Sequence, residues 1–317
     1  MHWPDPLRKG SRIALVAPAR GVKLRDLQPF LDFCSQQGWE AIYESEALSG
    51  GDGFFAGQDK DRRKVLQEFL DDERIGAIWV ARGGHGVSRV WPEIDWKGFR
   101  RYPKWIIGFS DATPLLWGAV YQGVVAVHGP VAVQMPHRVH PEALSRLLGL
   151  LQGEGMPPLS WEWRPWYAWR EGRAQGHLLG GNLSLLATMA GTSLDYRYLD
   201  RPALLFIEEV GEYYYRLDRL FWHLRNAGWF ERSQGIIIGA LSNLMDDEDL
   251  AFSKSLREIV EDVTQKHPGP VAMGLPAGHV AENNPLPVGA WASLIVQQGQ
   301  ALLTISSSSP SLLPERS

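Results

Sequence analysis

Short apolar runs alternate with amphipathic segments of helical period in two separate stretches of the chain. In the first stretch, residues 11–131, the pattern predicts strands at 13–17, 41–43, 77–81, 105–109 and 124–128. Helices are predicted between them at 24–37, 59–70 and 112–121. Strands that alternate with helices form βαβ units, in which the strands lie parallel in one sheet. The first stretch therefore predicts an α/β domain.

The second alternating stretch begins at residue 176. It predicts helices at 182–190, 215–227 and 250–266, strands at 203–207 and 236–241, and a strand pair at 288–296 and 301–305. We therefore expect an α/β fold with two domains. Residues 1–135 form an N-terminal, Rossmann- or flavodoxin-like parallel sheet with its helices, and residues 176–317 form a smaller C-terminal α/β domain. Residues 136–175 connect them, and the serine-rich tail after position 305 is predicted to be disordered.

Composition excludes several classes of protein. The 317 residues carry a formal net charge of −4, so the chain lacks the concentrated basic face of a nucleic-acid binder. Its single cysteine, Cys34, forms neither an internal disulfide nor a cysteine-rich zinc site. No apolar run approaches the roughly 20 residues that span a membrane, and the N-terminus does not have the pattern of a signal peptide. We expect a soluble, cytoplasmic protein that binds neither nucleic acid nor membrane.

The strongest local signal is a serine between a strand and a helix. In Gly108-Phe-Ser-Asp-Ala112 small residues flank Ser110, as in the nucleophile elbow of serine hydrolases, where the turn is tight and a neighbouring chain comes close. The amides at the start of the following helix would face an anion formed near Ser110. The alternative is that Ser110 or Asp111 only caps that helix.

A serine nucleophile requires a base. Nine histidines are available, of which His279 lies in a loop rich in glycine and proline, a common position for a residue that reaches into a cleft. Its rivals are His85, His128 and His177, which also lie near glycines. The alternative for His279 is an ordinary surface position.

The base in turn requires an acid. Glu208 and Glu209 follow an apolar run, at the carboxyl end of a predicted strand, the edge at which ligands of parallel α/β sheets gather. The order serine, acid, histidine is that of α/β hydrolases. The pattern does not decide between the two carboxylates, and one of them could instead cap the next helix.

A glycine cluster follows the strand at 77–81. In Arg82-Gly-Gly-His-Gly86 the backbone of Gly83 and Gly84 can approach a ligand closely and offer N–H groups to an oxyanion. The rival interpretation is a dinucleotide site, but the spacing does not fit G-x-G-x-x-G, and no P-loop motif is present. Metal-ligand spacings are also missing, and Asp246-Asp-Glu-Asp249 is interpreted as an acidic helix start. We therefore expect no cofactor and no metal.

Taken together, these segments resemble the LD-carboxypeptidase family of serine peptidases, which comprises muramoyltetrapeptide carboxypeptidases and microcin C immunity peptidases. The resemblance covers nearly the whole chain. Its matching segments are Arg82-Gly-Gly-His-Gly86, Ile94-Asp-Trp96, Gly108-Phe-Ser-Asp-Ala-Thr113, His128-Gly-Pro130, Gly180-Gly-Asn-Leu183, Phe206-Ile-Glu-Glu-Val-Gly-Glu212, Tyr215-Arg-Leu-Asp-Arg219 and Gly278-His279.

The resemblance implies a Ser-His-Glu triad in a cleft between the two domains. Carried over residue by residue, the nucleophile falls on Ser110, the acid on Glu208 and the base on His279.

The resemblance also assigns the oxyanion hole, whose amides fall on Asp111 and on the Gly83-Gly84 turn. His85 stands where the family often has tyrosine, and it is a candidate for contact with substrate. Arg82 is our own candidate for the cation that binds a carboxylate of the substrate.

The implied reaction is hydrolysis of the amide between an L-configured centre and a terminal D-amino acid of a murein tetrapeptide, in peptidoglycan recycling. The implied partner is a murein peptide, and a homodimer is an expectation from the resemblance alone. One alternative is an immunity-type amidase that cleaves aminoacyl-adenylate-like conjugates, with Trp161, Trp163, Trp166 and Trp169 as an aromatic shelf. The short separation of Ser110 and Glu208 favours the carboxypeptidase branch. A second alternative is a non-catalytic α/β module that binds a ligand.

Overall fold

The architecture consists of two sheets with helices packed against them. A computed structural model describes residues 1–49, 53–153, 159–247 and 249–306, with the side chains of 168 and 169 excepted. The strands of these residues are β1 Arg12–Val16, β2 Glu40–Ile42, β3 Ile75–Val80, β4 Trp105–Gly108, β5 Ala126–His128, β6 Leu159–Trp163, β7 Tyr167–Arg170, β8 Gly172–Asn182, β9 Ala203–Val210, β10 Ser233–Ser242, β11 Val271–Met273, β12 Leu286–Val288, β13 Trp291–Gln297 and β14 Gln300–Ser306. The helices are α1 Leu24–Gln36, α2 Ser45–Ser49, α3 Asp59–Asp71, α4 Lys97–Arg101, α5 Thr113–Tyr121, α6 Pro141–Gln152, α7 Leu183–Met189, α8 Tyr214–Asn226, α9 Trp229–Arg232 and α10 Leu256–Thr264.

The first sheet has the strand order β12-β5-β4-β3-β1-β2. Its five N-terminal strands are parallel, as the βαβ pattern predicts. The sixth strand, β12, comes from the C-terminal stretch and pairs antiparallel with β5, with Leu286 opposite His128. The two halves of the chain are therefore joined through a shared sheet edge.

The second sheet has eight strands, in the order β6-β14-β13-β8-β9-β10-β11-β7. Strands β8 to β11 are parallel, and the remaining four add antiparallel neighbours on both sides. The predicted α/β class is confirmed. The segment 136–175, expected to be only a connection, contributes β6, β7 and the first four residues of β8 to this sheet.

Strand β9 shows why the apolar runs form the centre of this sheet. Residues 203–207 are at most 1% exposed, because sheet neighbours lie on both sides and packed side chains cover both faces. A strand buried on both faces is a continuous apolar run rather than an alternating one. The same run ends in Glu208 and Glu209, so two carboxylates lie at the carboxyl edge of a buried strand.

Helix α5 joins the first sheet to the second. Trp117 Nε1 donates to the carbonyl of Gly180, at 2.9 Å, and the amide of Asn182 donates to Thr113 Oγ1, at 3.1 Å. A Cβ added at Gly181 would lie 2.6 Å from Thr113 Oγ1, so this close approach requires glycine. The helix that follows Ser110 is thereby fixed against the end of β8.

The tryptophan-rich segment mostly belongs to the core. Trp161 and Trp163 alternate inward on β6 and are buried, and Trp163 Nε1 donates to the carbonyl of Met273, at 3.2 Å. Trp166 is 56% exposed, and the side chain of Trp169 lies outside the described residues. Two of the four tryptophans are therefore unavailable to a surface shelf.

Helix α10 begins later than the prediction of residue 250. Its start is Leu256, where Ser255 and Glu258 form a capping box in which each side chain bonds the other residue's amide. The run at 246–249 therefore does not open the helix, and Asp246 accepts from the amide of Phe252 instead. The tail predicted to be disordered begins at Ser306, which is the last residue of β14, and its remaining residues lie outside the described ones. Among the described residues, no helix has the length and apolar character needed to span a membrane.

Candidate functional site

Ser110 occupies a strained turn at the carboxyl end of β4. Its φ is 61°, a left-handed conformation that is uncommon for residues other than glycine. A Cβ at Gly108 would lie 3.0 Å from Ala112 Cβ and 3.1 Å from Val80, so a larger residue has no space there. Thr113 Oγ1 donates to the carbonyl of Ser110, at 2.8 Å, and fixes the turn to α5. This strand–serine–helix geometry is typical of a nucleophile elbow.

The glycine loop after β3 lies directly beside Ser110. A Cβ at Gly83 would be 3.3 Å from Ser110 Oγ. The amides of Gly83 and Gly84 have no hydrogen-bond acceptor within the described residues, so their N–H groups are available to an oxyanion. The carboxylate of Asp111 accepts from the amide of Val87, at 2.9 Å, and so ties this loop to the serine turn.

Two buried charged residues, Asp111 and Arg62, hold the glycine loop in place. The sequence patterns did not single them out for this role. Asp111 is 1% exposed, and burial raises the pKa of its carboxyl group to about 6. Arg62, on α3, donates to the carbonyls of Pro18 and Gly86. These contacts join the ends of β1 and β3 to the turn that carries Ser110.

Glu208 and His279 form a buried acid–imidazole pair. Glu208 is fully buried, and the Nδ1–H of His279 donates to its Oε2, at 2.7 Å. Burial raises the pKa of Glu208, while the hydrogen bond and charge of His279 act in the opposite direction. Glu209 accepts instead from Asn182 Nδ2 and from the amide of Ser184, both at 2.8 Å. Of the two carboxylates left open by the strand pattern, Glu208 is the one that contacts the imidazole.

The loop that carries His279 is fitted closely around Glu208. Gly278 has a φ of 115°, and a Cβ there would lie 2.7 Å from Glu208 Oε2. Asn283 Oδ1 accepts from the amide of Gly278, at 2.8 Å, and Asn284 Nδ2 donates to the carbonyl of Pro276, at 2.8 Å. Both asparagines are buried, and their only sequence signal is an Asn-Asn-Pro run inside a glycine- and proline-rich loop.

His279 also lies beside Phe109, the residue that precedes Ser110. The ring centroids of Phe109 and His279 are 4.7 Å apart. Within the described residues no hydrogen bond joins Ser110 Oγ to His279, although catalytic hydrogen bonds often tighten only in the substrate complex. The side chains of His128 and His177, two rival bases, do not pair with Ser110: His128 is fully buried with neither ring nitrogen bonded, and His177 Nδ1 contacts the carbonyl of Gly289, at 2.7 Å.

The two predicted substrate contacts flank the glycine loop. Arg82 is half-buried and lines a pocket of about 490 Å³. His85 is exposed, with its ring 6.1 Å from that of Phe55, and it does not pair with Ser110. No group of three or more His, Cys, Asp or Glu side chains with metal-binding geometry occurs in the described residues.

The arrangement is chemically suited to acyl transfer. It combines a serine in a strained turn, free backbone amides beside it, and an imidazole whose Nδ1 atom is hydrogen-bonded to a buried carboxylate. A non-catalytic module would leave Ser110, Glu208 and His279 unable to meet, and of these three residues Glu208 and His279 are in contact.

Comparison with known proteins agrees with the resemblance seen in the sequence. The model of the LD-carboxypeptidase N-terminal domain matches residues 13–129, and that of the C-terminal domain matches residues 175–294. A putative carboxypeptidase of Synechocystis sp. is 34% identical over 92% of this chain and 93% of its own. A murein tetrapeptide carboxypeptidase of Pseudomonas aeruginosa is 30% identical over 89% and 92%. The microcin C7 self-immunity protein of Escherichia coli is 26% identical over 90% of each chain.

A solved structure has the same fold. The muramoyltetrapeptide carboxypeptidase from Oxalobacter formigenes superposes with a TM-score of 0.82 at 24% identity, and the match covers 95% of this chain and all of that one. The suspected family relationship is confirmed, because both domain models match in the expected order and cover most of the chain. The chain belongs to the LD-carboxypeptidase family and is a peptidase.

Proposed function

We propose that the protein is a serine carboxypeptidase that removes the terminal D-amino acid from murein tetrapeptides. The bond cleaved is the amide between an L-configured centre and the terminal D-residue. The observation that carries the proposal is the hydrogen bond of 2.7 Å between His279 and Glu208, on a loop that lies against Phe109, next to the strained Ser110. The substrate class comes from the names of the relatives, such as the murein tetrapeptide carboxypeptidase of Pseudomonas aeruginosa.

In the proposed mechanism Ser110 Oγ attacks the carbonyl carbon of the scissile amide, and His279 Nε2 accepts the serine proton. Glu208 keeps the imidazole in the Nδ1–H tautomer and stabilises the imidazolium that forms. The tetrahedral intermediate collapses as His279 gives the proton to the leaving amine, which departs as the free D-amino acid. An acyl ester on Ser110 remains. Water, deprotonated by His279, then hydrolyses this ester and regenerates the serine.

Backbone amides would stabilise the oxyanion of both tetrahedral intermediates. The candidates are the N–H groups of Asp111, Gly83 and Gly84. Support comes from the position of Gly83 beside Ser110 Oγ and from the free amides of the two glycines. Removing one such donor typically costs about 10²–10³ in kcat.

A cytoplasmic location and a homodimer both remain predictions. The assignment of the nucleophile to a domain of residues 1–135, and of the acid–base pair to a domain of residues 176–317, also remains a prediction.

An immunity-type amidase that acts on aminoacyl-adenylate-like conjugates is the second candidate. It is favoured by the similarity to the microcin C7 self-immunity protein and by the exposure of Trp166. Burial of Trp161 and Trp163 weakens it, since an aromatic shelf for a nucleotide base would have to be built without them.

Product analysis decides between the two candidates. The purified protein is incubated with a murein tetrapeptide that ends in D-alanine, with its L-alanine epimer, and with an aminoacyl-sulfamoyl nucleoside. Mass spectrometry should show loss of the terminal residue from the D-peptide only. Cleavage of the nucleoside conjugate together with an intact D-peptide would reject the carboxypeptidase proposal in favour of the amidase.

A further inference from the structure

A pocket lined by arginines opens beside the glycine loop. Its polar lining consists of Arg25, Asp26, Arg82, Gln134, His137 and Arg138, and we call it the arginine pocket. Its volume is about 490 Å³. Pockets that enclose small ligands span roughly 300–1,000 Å³, so this one has room for several residues of a peptide.

The arginine pocket carries an excess of positive charge. Three arginines face one acidic residue, Asp26, whose carboxylate lies 3.7 Å from Arg25 Nε. Arg82 and Arg138 form no ion pair within the described residues. The chain as a whole has a net charge of −4, so the local excess of positive charge is opposite in sign to the charge of the whole chain. Unpaired guanidinium groups in a concave site favour an anion, and their planar fork fits a carboxylate.

The backbone around Arg82 is anchored on both sides. Ala81, the preceding residue, donates its amide to the carbonyl of Val16, at 2.7 Å, and accepts from the amide of Val133, at 3.0 Å. These bonds join the residue before Arg82 to the end of β1 and to the turn after β5, whose residues Val133, Gln134 and Met135 also line the arginine pocket. The backbone that carries Arg82 is therefore held in place before a ligand binds, whereas Arg25 and Arg138 are exposed.

The lining of the arginine pocket includes the residue that precedes the turn beside the proposed nucleophile. Arg82 precedes Gly83, whose Cβ position is 3.3 Å from Ser110 Oγ, and consecutive Cα atoms are about 3.8 Å apart. All of its lining residues lie between Val22 and Arg138, whereas Glu208 and His279 come from the second half of the chain. In the proposed mechanism His279 must face the leaving amine. None of the lining residues of the arginine pocket belongs to the loop that carries His279.

We propose that the arginine pocket is a subsite for a carboxylate in the acyl part of the substrate, on the amino-terminal side of the scissile amide. This inference rests on the proposed function and adds a requirement to it. The enzyme selects peptides whose acyl part is acidic, and it disfavours those in which that carboxylate is amidated. Arg82 and Arg138 are the residues that determine this specificity.

Three matched tetrapeptides test the proposal. The first has free carboxylates throughout, the second is amidated in the acyl part only, and the third is amidated at its C-terminus only. We compare kcat/KM for the wild type, Arg82→Gln and Arg138→Gln. Arg173→Gln is the matched control, because it removes the same charge at a distant position. Arg173 is exposed near the start of β8, at the opposite end of the strand from Asn182.

The wild type should prefer the free acid over the acyl-amidated peptide by about tenfold or more, the ratio that corresponds to one lost charge-assisted hydrogen bond. Arg82→Gln and Arg138→Gln should each lower this ratio severalfold, and Arg173→Gln should leave it at the wild-type value. An unchanged ratio in both pocket variants would overturn the proposal. The proposal would also be overturned if the pocket variants lost only the discrimination against the C-terminal amide, because the arginine pocket would then bind the terminal carboxylate.

Binding separates this inference from the proposed function. Calorimetry measures the affinity of the wild type for the tripeptide product, with its acyl-part carboxylate free or amidated. A preference for the free acid that Arg138→Gln abolishes would support the subsite even if no tetrapeptide were cleaved. Cleavage of all three peptides with no such preference would reject the subsite and leave the carboxypeptidase proposal standing.

Discussion

The Oε2 atom of Glu208 lies 2.7 Å from His279 Nδ1, and the same oxygen lies 2.7 Å from the position that a Cβ would take at residue 278. The carboxylate thus has the imidazole on one side and the bare backbone of Gly278 on the other. Because Gly278 also has a φ of 115°, only glycine satisfies both the backbone conformation and the contact.

Gly278→Ala should therefore separate the acid from the base. The added methyl group displaces Glu208 or the loop, and we expect kcat to fall about 10²-fold, as for other displacements of about 1 Å at a reacting group. Gly228→Ala is the control, since alanine there would also be strained, at a φ of 78°, but its Cβ would enter open space. Equal kcat values for the two variants would show that the contact with Glu208 has no catalytic consequence.

The two neighbouring glutamates should respond differently to amide substitution. Glu208→Gln retains the shape but removes the charge that orients the imidazole, and we expect a loss of about 10⁴-fold in kcat. Glu209→Gln weakens the bonds to Asn182 and Ser184, and we expect a loss of about 1–3 kcal/mol in the free energy of unfolding. Steady-state kinetics and urea unfolding measure the two effects. The opposite pattern, with catalysis lost in Glu209→Gln alone, would reverse the assignment of the acid.

Asp111 should make stability depend on pH. Its folded pKa of about 6 exceeds the ordinary 3.8, so the folded state binds more protons than the unfolded state between these values. The contribution of Asp111 to the free energy of unfolding is fully present below about pH 4. It falls by at most roughly 3 kcal/mol as the pH rises to about 6. Asp111→Asn does not titrate, and its Oδ1 can still accept from Val87.

The test for Asp111 is a pair of denaturation series from pH 4 to pH 7. The unfolding free energy of the wild type minus that of Asp111→Asn should decrease across this range. A difference that stays constant would mean that the carboxyl group has the same pKa in the folded and unfolded states.

The strained turn at Ser110 predicts a difference between two inactive variants. Both Ser110→Ala and Ser110→Gly remove the nucleophilic oxygen. At a φ of 61° glycine is unstrained whereas alanine is not, so Ser110→Gly should be the more stable of the two by about 1 kcal/mol. Thermal unfolding of both proteins measures this. If alanine were the more stable, the left-handed turn would be absent in solution.

Elements with a strong local pattern were predictable from the sequence. Helix α8 buries Leu217, Phe221 and Leu224 at helical spacing, and β9 is a long apolar run, so both were predicted within a few residues of their ends. The turn at Ser110 has its signal in the small residues that flank the serine.

Elements formed by long-range pairing were not predictable. Strand β12 contains Pro287 and has only three residues, and it exists because the edge of the first sheet is open to it. Strands β6 and β7 pair with β14 and β11 from far along the chain, so nothing local indicates them. The buried Asn283 and Asn284 likewise depend on backbone partners that only the folded loop brings near.

The turnover of Ser110→Ala on a murein tetrapeptide tests whether Ser110 is the nucleophile. Release of D-alanine is measured for the wild type and the variant under the same conditions, after unfolding curves have shown that the variant is folded. We expect the kcat of the variant to be lower by about 10⁴-fold or more. Near-normal release of D-alanine by a correctly folded Ser110→Ala protein would contradict this expectation, because the bond would then be cleaved without the proposed nucleophile.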